Sequence, residues 1–278
     1  MNQRQILHSL LKTERPLVMP DAYDALSARL IQNAGFKAVQ CSGFSMALAT
    51  GCKSEDELSF ERNLQITKDI IRSVNIPVMA DGEDGFGPPE KVVQTIKSFA
   101  SIGVSGINLE DQILRSSAPK SVIDTNLMAE KIIAARIAAE ECKVPDLVIN
   151  GRTDALAVAI DKKAGLKEAI NRATRYLEVG ADLVFVTSVA TLYEAKTLAE
   201  EIPGPLSIAA GLPYNLDTLS IDDLMNCGLA RISLPAIAVF ATIQAIKMSL
   251  RTIKEKNDLQ DLKRNNLLCS IEDLANLK

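Results

Sequence analysis

The chain has 278 residues, 31 basic against 35 acidic side chains for a net charge of −4, and 47% hydrophobic residues. This composition excludes collagen-like, disordered and disulfide-stapled architectures, and a chain this long buries a full core without cross-links. Mild acidity with scattered Lys and Arg leaves no electrostatic footprint for nucleic acid.

The first fifteen residues are polar, with Arg4, Lys12 and Glu14 around a short helical pattern that holds His8. They resemble neither a secretory nor a transit segment, and no apolar run of about 18 residues follows, so the expectation is a soluble cytoplasmic protein without a membrane partner. Short β-branched runs then alternate with longer stretches of helical period. In order, the pattern predicts strand 17–19, helix 22–34, strand 38–40, helix 60–74, strand 78–80, helix 89–102, strand 106–109 and helix 127–141. It continues with strand 147–149, helix 166–178, strand 183–186, helix 190–201, strand 206–208, helix 221–226, strand 231–233 and helix 236–254. Gly35, Gly103, Gly180 and Gly228 close four of these units, where a helix ends by going left-handed.

Eight βα units in about 250 residues match the α/β class and a closed (β/α)8 TIM barrel. A doubly wound sheet is the alternative, and its nucleotide-binding form lacks the expected G-x-G-x-x-G after the first strand. No linker composition divides the chain, so residues 1–278 read as one barrel domain, with 256–278 as a C-terminal helical extension carrying Leu259, Leu262, Leu267, Leu268 and Leu274. An extra helix of this kind packs on a neighbouring subunit or caps the barrel.

The inventory of reactive side chains is narrow. The five cysteines, Cys41, Cys52, Cys142, Cys227 and Cys269, lie far apart without a C-x-x-C pair and read as packing thiols in a reducing compartment. His8 is the one histidine, which removes Ser-His-Asp triads and His-built metal sites. In a barrel the residues just after each strand form the active mouth. Here those residues are Ser42-Gly43-Phe44, Asp81-Gly82-Glu83-Asp84-Gly85-Phe86-Gly87, Glu110-Asp111-Gln112 and Gly151-Arg152-Thr153-Asp154. Asp81, Glu83 and Glu110 would crowd like charges unless a cation neutralises them, and an all-oxygen set suits Mg2+ or Mn2+. Asp84 and Asp111 read as capping or solvated acids that point elsewhere. Ser42-Gly43 can offer a hydroxyl and close backbone amides to a carboxylate. Arg152 can grip a substrate carboxylate with two prongs, or pair structurally with Asp154 or a strand-end acid. Gly85-Phe86-Gly87 reads as a hinge or tight turn.

Taken in order, Asp21-Ala22-Tyr23-Asp24-Ala25, Ser42-Gly43, residues 81–87, Glu110-Asp111-Gln112 and Gly151-Arg152-Thr153-Asp154-Ala155 resemble the isocitrate lyase / phosphoenolpyruvate mutase superfamily over residues 17–250. The resemblance implies a (β/α)8 barrel, a tetramer made by exchange of the eighth helix, Mg2+, and a 2-oxo or 2-hydroxy acid handled through an enolate-like species. It implies Asp81 as the direct metal ligand, Glu83 and Glu110 as acids that hold the metal mostly through water, Arg152 as the carboxylate-binding arginine, and Ser42, Gly43 and Phe44 as the segment that grips the substrate. The usual Asp-x-Asp is here Asp81-x-Glu83, and a further acid expected after the second strand is replaced by Ser54, with Glu55 and Asp56 beside it.

The loop 113–125 departs furthest from the family. It lacks the Cys and His of the isocitrate and methylisocitrate lyases and the Lys and Asn of the mutases at their positions, and it offers Arg115 and Lys120 as its basic groups at shifted positions. Retro-aldol cleavage and phosphoryl migration each lose a group, whereas decarboxylation of a 3-carboxy-2-oxo acid requires fewer. The expected function is therefore a Mg2+-dependent lyase or decarboxylase of an oxaloacetate-like acid, with Arg152, Arg115 and Lys120 in catalytic roles. Phosphonopyruvate chemistry, a methylisocitrate-type lyase and a silent organic-acid-binding barrel are the alternatives.

Overall fold

Eight parallel strands close on themselves in the order β1-β10-β9-β8-β7-β4-β3-β2. They are β1 (Leu17–Ala22), β2 (Val39–Cys41), β3 (Val78–Asp81), β4 (Gly106–Glu110), β7 (Val148–Thr153), β8 (Leu183–Val186), β9 (Leu206–Ala209) and β10 (Arg231–Leu234). A small antiparallel pair, β5 (Gln112–Ile113) and β6 (Ser121–Val122), stands above β4. Closure is made by β1 on β10, with Leu17 opposite Arg231 and Pro20 opposite Leu234. The structure, a computed structural model, describes residues 1–113, 120–256, 259–275 and 277.

The helices, in chain order, are α1 (Gln3–Thr13), α2 (Ala25–Asn33), α3 (Gly43–Ala49), α4 (Phe60–Ser73), α5 (Pro89–Ile102), α6 (Thr125–Glu141), α7 (Ala155–Val158), α8 (Lys162–Glu178), α9 (Leu192–Glu201), α10 (Ile221–Met225), α11 (Ile237–Lys256), α12 (Gln260–Arg264) and α13 (Ile271–Ala275). The barrel expected from the βα rhythm is thus present. Its main core lies between strands and outer helices, where Ile107, Ile149 and Val184 pack with Ile96, Phe99, Ile132 and Tyr176. The amino-terminal mouth is plugged by α1, whose Leu7 and Leu11 are buried among Leu17, Met79, Val148 and Leu183. The site must therefore open at the other end, where the strands finish.

Three sequence expectations are corrected. Helix α2 starts at Ala25 rather than residue 22, because Asp24 caps it reciprocally with Ser27 and β1 runs on to Ala22. Helix α3 was not expected: it is seven residues long, too short to show a period, and Ser42 starts it by accepting from Ser45 N. Among its described residues the extension 256–278, expected as an extra helix, holds two short helices, α12 and α13, with Leu262 buried and Leu268 and Leu274 exposed. Among the described residues no helix is long and apolar enough to cross a membrane.

Candidate active site

The carboxylates expected at the strand ends are gathered by β3 and the turn after it. Asp81 ends β3, and its Oδ2 accepts from Gly43 N at 2.9 Å, so that the amide at the start of α3 holds this acid. Its backbone carbonyl accepts from Asn63 Nδ2 at 3.1 Å. Glu83 sits two residues on with φ of 49°, a left-handed conformation unusual for a side-chain-bearing residue, and its carbonyl accepts from Glu110 N at 2.9 Å. That backbone turn directs the Glu83 carboxylate inward, where it is 5% exposed. A third acid joins them from outside the strands: Glu55, on a 3-10 turn (Glu55–Glu57), lies with Asp81 and Glu83 so that one ligand oxygen from each falls within 4.8 Å of the others.

Glu110, expected as an acid that holds the metal mostly through water, lies beside Arg152, with Nη1 to Oε2 at 2.6 Å. Arg152 also donates to Asp154 through Nε at 2.8 Å and Nη2 at 3.1 Å. The ion-pair alternative for Arg152 is thus realised, and the same guanidinium also lines a cavity over the strand ends. Burial opposes its charge, but Asp154 and Glu110 outweigh burial and hold it firmly ionised. Burial, followed by Asp81 and Glu55, pushes the Glu83 carboxyl well above the usual range. Burial and Asp81 bring Glu55 up to about 7. Glu110 is raised by burial despite Arg152.

A divalent cation fits this cluster. Both carboxylate oxygens of Glu83 are buried without a hydrogen-bond partner, and three carboxylates with raised or crowded charge form an all-oxygen donor set. Glu55, Asp81 and Glu83 would hold it, with Glu110 further out. Sequence reasoning put Ser54 where a further acid was expected, and the structure brings the neighbouring Glu55 into the cluster instead. The acidic run Glu55-Asp56-Glu57 was the available signal.

A cavity of about 260 Å³ opens over the strand ends. Its lining includes the charged residues Glu55, Asp81, Arg152, Asp154 and Lys120 and the apolar residues Phe44, Phe185, Leu212, Pro235 and Phe240. Phe44 and Phe240 meet edge to face, centroids 6.1 Å apart, bringing the starts of α3 and α11 together at the mouth. Gln40, Asn108 and Ser233 also line it, with Gln40 Nε2 donating to Ser233 Oγ at 2.7 Å. Tyr214, not singled out from sequence, lines the same cavity and accepts from Ser188 N at 3.2 Å. Ser42 lines the wall and caps α3. Arg115 lies outside the described residues. Asp84 is structural: buried Lys131 reaches its carbonyl at 2.5 Å, and its own Oδ1 accepts from Phe86 N. The Cys41 thiol lines the cavity too, but burial pushes it up to about 12, so it is a protonated packing group.

A closed parallel barrel whose strand ends present buried carboxylates, a guanidinium and a small cavity defines an enzyme that works on small anions with a divalent cation. The chain belongs to the phosphoenolpyruvate phosphomutase family, within the PEP mutase/isocitrate lyase superfamily: the model for that family matches residues 7–254. It is 32% identical to a 2,3-dimethylmalate lyase of Eubacterium barkeri over 73% of this chain and 70% of that one. It is 29% identical to a 2-methylisocitrate lyase of Halalkalibacterium halodurans over 89% of this chain and 80% of that one. A phosphonopyruvate hydrolase solved with oxalate and Mg2+ shares the fold, with a TM-score of 0.86 and 24% identity over 100% of this chain and 95% of that one.

Proposed function

We propose that the protein is a Mg2+-dependent lyase that breaks a carbon-carbon bond in a small 2-oxo or 2-hydroxy dicarboxylic acid, with oxaloacetate-like acids as its preferred class. The observation that carries this reading is the lining of the cavity. Glu55, Asp81 and Arg152 share it with Phe44, Phe185, Leu212, Pro235 and Phe240, and the Arg152 guanidinium lies 5.8 Å from the centre of the Phe185 ring. Besides Arg152, Lys120 is the one cation among the described lining residues. That is enough for the two carboxylates of a dicarboxylic acid and little for a transferring phosphoryl group, which needs several cations around it.

Glu55, Asp81 and Glu83 would hold Mg2+, which when bound would supply a Lewis acid for negative charge on a substrate oxygen. Arg152 binds a carboxylate, and Asp154 and Glu110 fix the plane of the guanidinium so that the acid is held in one orientation. Phe44 and Phe240 narrow the mouth and exclude water from that side. Lys120 on the cavity wall adds positive charge for a second carboxylate. Water completes the product's protonation, since no thiol with an accessible pKa lines the cavity. Mn2+ suits the same oxygen set.

The long helix α11 supports assembly of copies of this chain, a tetramer in the family's manner. Val239 is its single buried residue, while Ile243, Ile246, Leu250 and Ile253 are exposed. An apolar face of that length belongs against another subunit. We place the protein in the cytoplasm, consistent with five free cysteines.

The test is turnover of oxaloacetate, methylisocitrate and phosphonopyruvate in parallel with Mg2+. Fastest turnover of oxaloacetate is expected. Preference for methylisocitrate would mean that another group replaces the lyase thiol, and preference for phosphonopyruvate would move the chain to carbon-phosphorus chemistry.

A further inference from the structure

Behind the cavity lies a buried polar group that the mechanism above does not use. Asp111 is fully buried, one residue beyond β4. Its Oδ1 accepts from Asp154 N at 2.9 Å. Its Oδ2 accepts from Arg172 Nη1 at 3.0 Å and from Tyr176 OH at 2.8 Å. Its backbone is held as well, with Asp111 N donating to Arg152 O at 3.2 Å and Ile123 N donating to Asp111 O at 2.8 Å. The same Arg172 Nη1 donates to Ile123 O at 2.8 Å, and Nε binds Glu168 at 2.7 Å. The carboxylate therefore ties the end of β7 to the middle of α8, and the Asp111 carbonyl with Arg172 holds the segment that leads into α6.

We propose that Asp111, fixed by Arg172 and Tyr176, is the positioning residue that sets the aim of Arg152 through Asp154. The route is short and continuous. Asp111 grips the backbone on both sides of Thr153, at Arg152 O and Asp154 N, so the last turn of β7 cannot rotate. Asp154 then holds the guanidinium with two hydrogen bonds, and Thr187 Oγ1 braces Asp154 Oδ1 at 2.9 Å. Packing reinforces it: a Cβ on Gly151 would come within 3.1 Å of Tyr176 Cβ, so the bare glycine lets the tyrosine lie directly on β7. Arg172 neutralises Asp111, and the pair is buried where a lone charge would be costly. An Arg that must meet a planar carboxylate with both prongs gains most from such a frame.

This inference rests on Arg152 binding an anion, as proposed above, so its test uses binding rather than turnover. Oxalate affinity in saturating Mg2+ is measured calorimetrically for wild type, Tyr176→Phe, Asp111→Asn and Arg152→Met, and for each of the first two changes combined with Arg152→Met. Mg2+ affinity without oxalate is measured alongside. Tyr176→Phe removes one oxygen and keeps the ring that fills the core, so it carries the test even where Asp111→Asn fails to fold. We expect each single change to weaken oxalate binding roughly tenfold, the loss of one charge-assisted hydrogen bond. Mg2+ affinity should stay within about twofold, because the metal's acids stand on other elements, and neither change should weaken oxalate binding further when Arg152 is already Met. A lower melting temperature with unchanged oxalate affinity, or losses that add to that of Arg152→Met, would overturn the proposal. A protein that passes this cycle yet turns over none of the three acids keeps the positioning role and loses the lyase reading.

Discussion

The carboxylate of Glu83 occupies the space that a side chain on Gly43 would need: a Cβ there would fall 1.7 Å from Glu83 Oε1 and 3.2 Å from Glu55 Oε1. The first residue of α3 is therefore bare so that two acids can close on Asp81, whose Oδ2 takes the Gly43 amide proton. Gly43→Ala should displace Glu83 and weaken Mg2+ binding at least tenfold by titration calorimetry, at a modest cost in stability. Unchanged Mg2+ affinity in this variant would show that Glu83 is not a metal acid.

The same crowding sets a pH dependence. Burial and Asp81 bring Glu55 to about 7, and burial also raises Glu83 well above the 4.5 of a free glutamate. Within that window the folded protein holds more protons than the unfolded chain. The cluster's contribution therefore favours folding below about 4.5 and is lost as pH rises through about 7, opposite in sign to an ordinary paired carboxylate. Mg2+ compensates the ionised acids, so the rise in melting temperature on adding Mg2+ should be larger at pH 8 than at pH 5.5. Equal rises at the two pH values would contradict this.

None of the thiols should matter to turnover. Among the described residues Cys41 is the thiol that lines the cavity at the strand ends, and burial pushes it up to about 12 and keeps it protonated. Each Cys→Ser variant should keep kcat within about threefold of wild type, and iodoacetamide should leave activity intact. Loss of turnover in a folded Cys41→Ser protein would assign the thiol a chemical role.

Along α11, Ile246 and Leu250 are 53% and 61% exposed. Ile246→Glu with Leu250→Glu should therefore lower the sedimentation coefficient to that of a smaller assembly without unfolding the barrel. An unchanged sedimentation coefficient would remove α11 from the interface.

The barrel was readable because each strand is a compact β-branched run and each long helix keeps its period. Asp81 and Arg152 were readable because a strand end in such a barrel always faces the mouth. Glu55 was legible only as a neighbour of Ser54, where the resemblance led one to expect an acid: its place in the cluster depends on α3, seven residues with no period to detect, and on the turn that follows. The part played by Asp111 was equally hidden, since Arg172 and Tyr176 reach it from 61 and 65 residues further along the chain. Glu110 took the expected place beside the site, but its partner in the fold is Arg152. The extent of α11 was legible, yet its exposure was not, because the same apolar spacing serves a core and an interface.

The most direct measurement follows ¹³C-labelled oxaloacetate by NMR with purified protein and Mg2+, against two controls: excess chelator, and Asp81→Ala at the same Mg2+ concentration. The account predicts carbon-carbon cleavage by wild type well above both controls, with Arg152→Met raising KM. Cleavage that persists in chelator, or that Asp81→Ala matches, would contradict it.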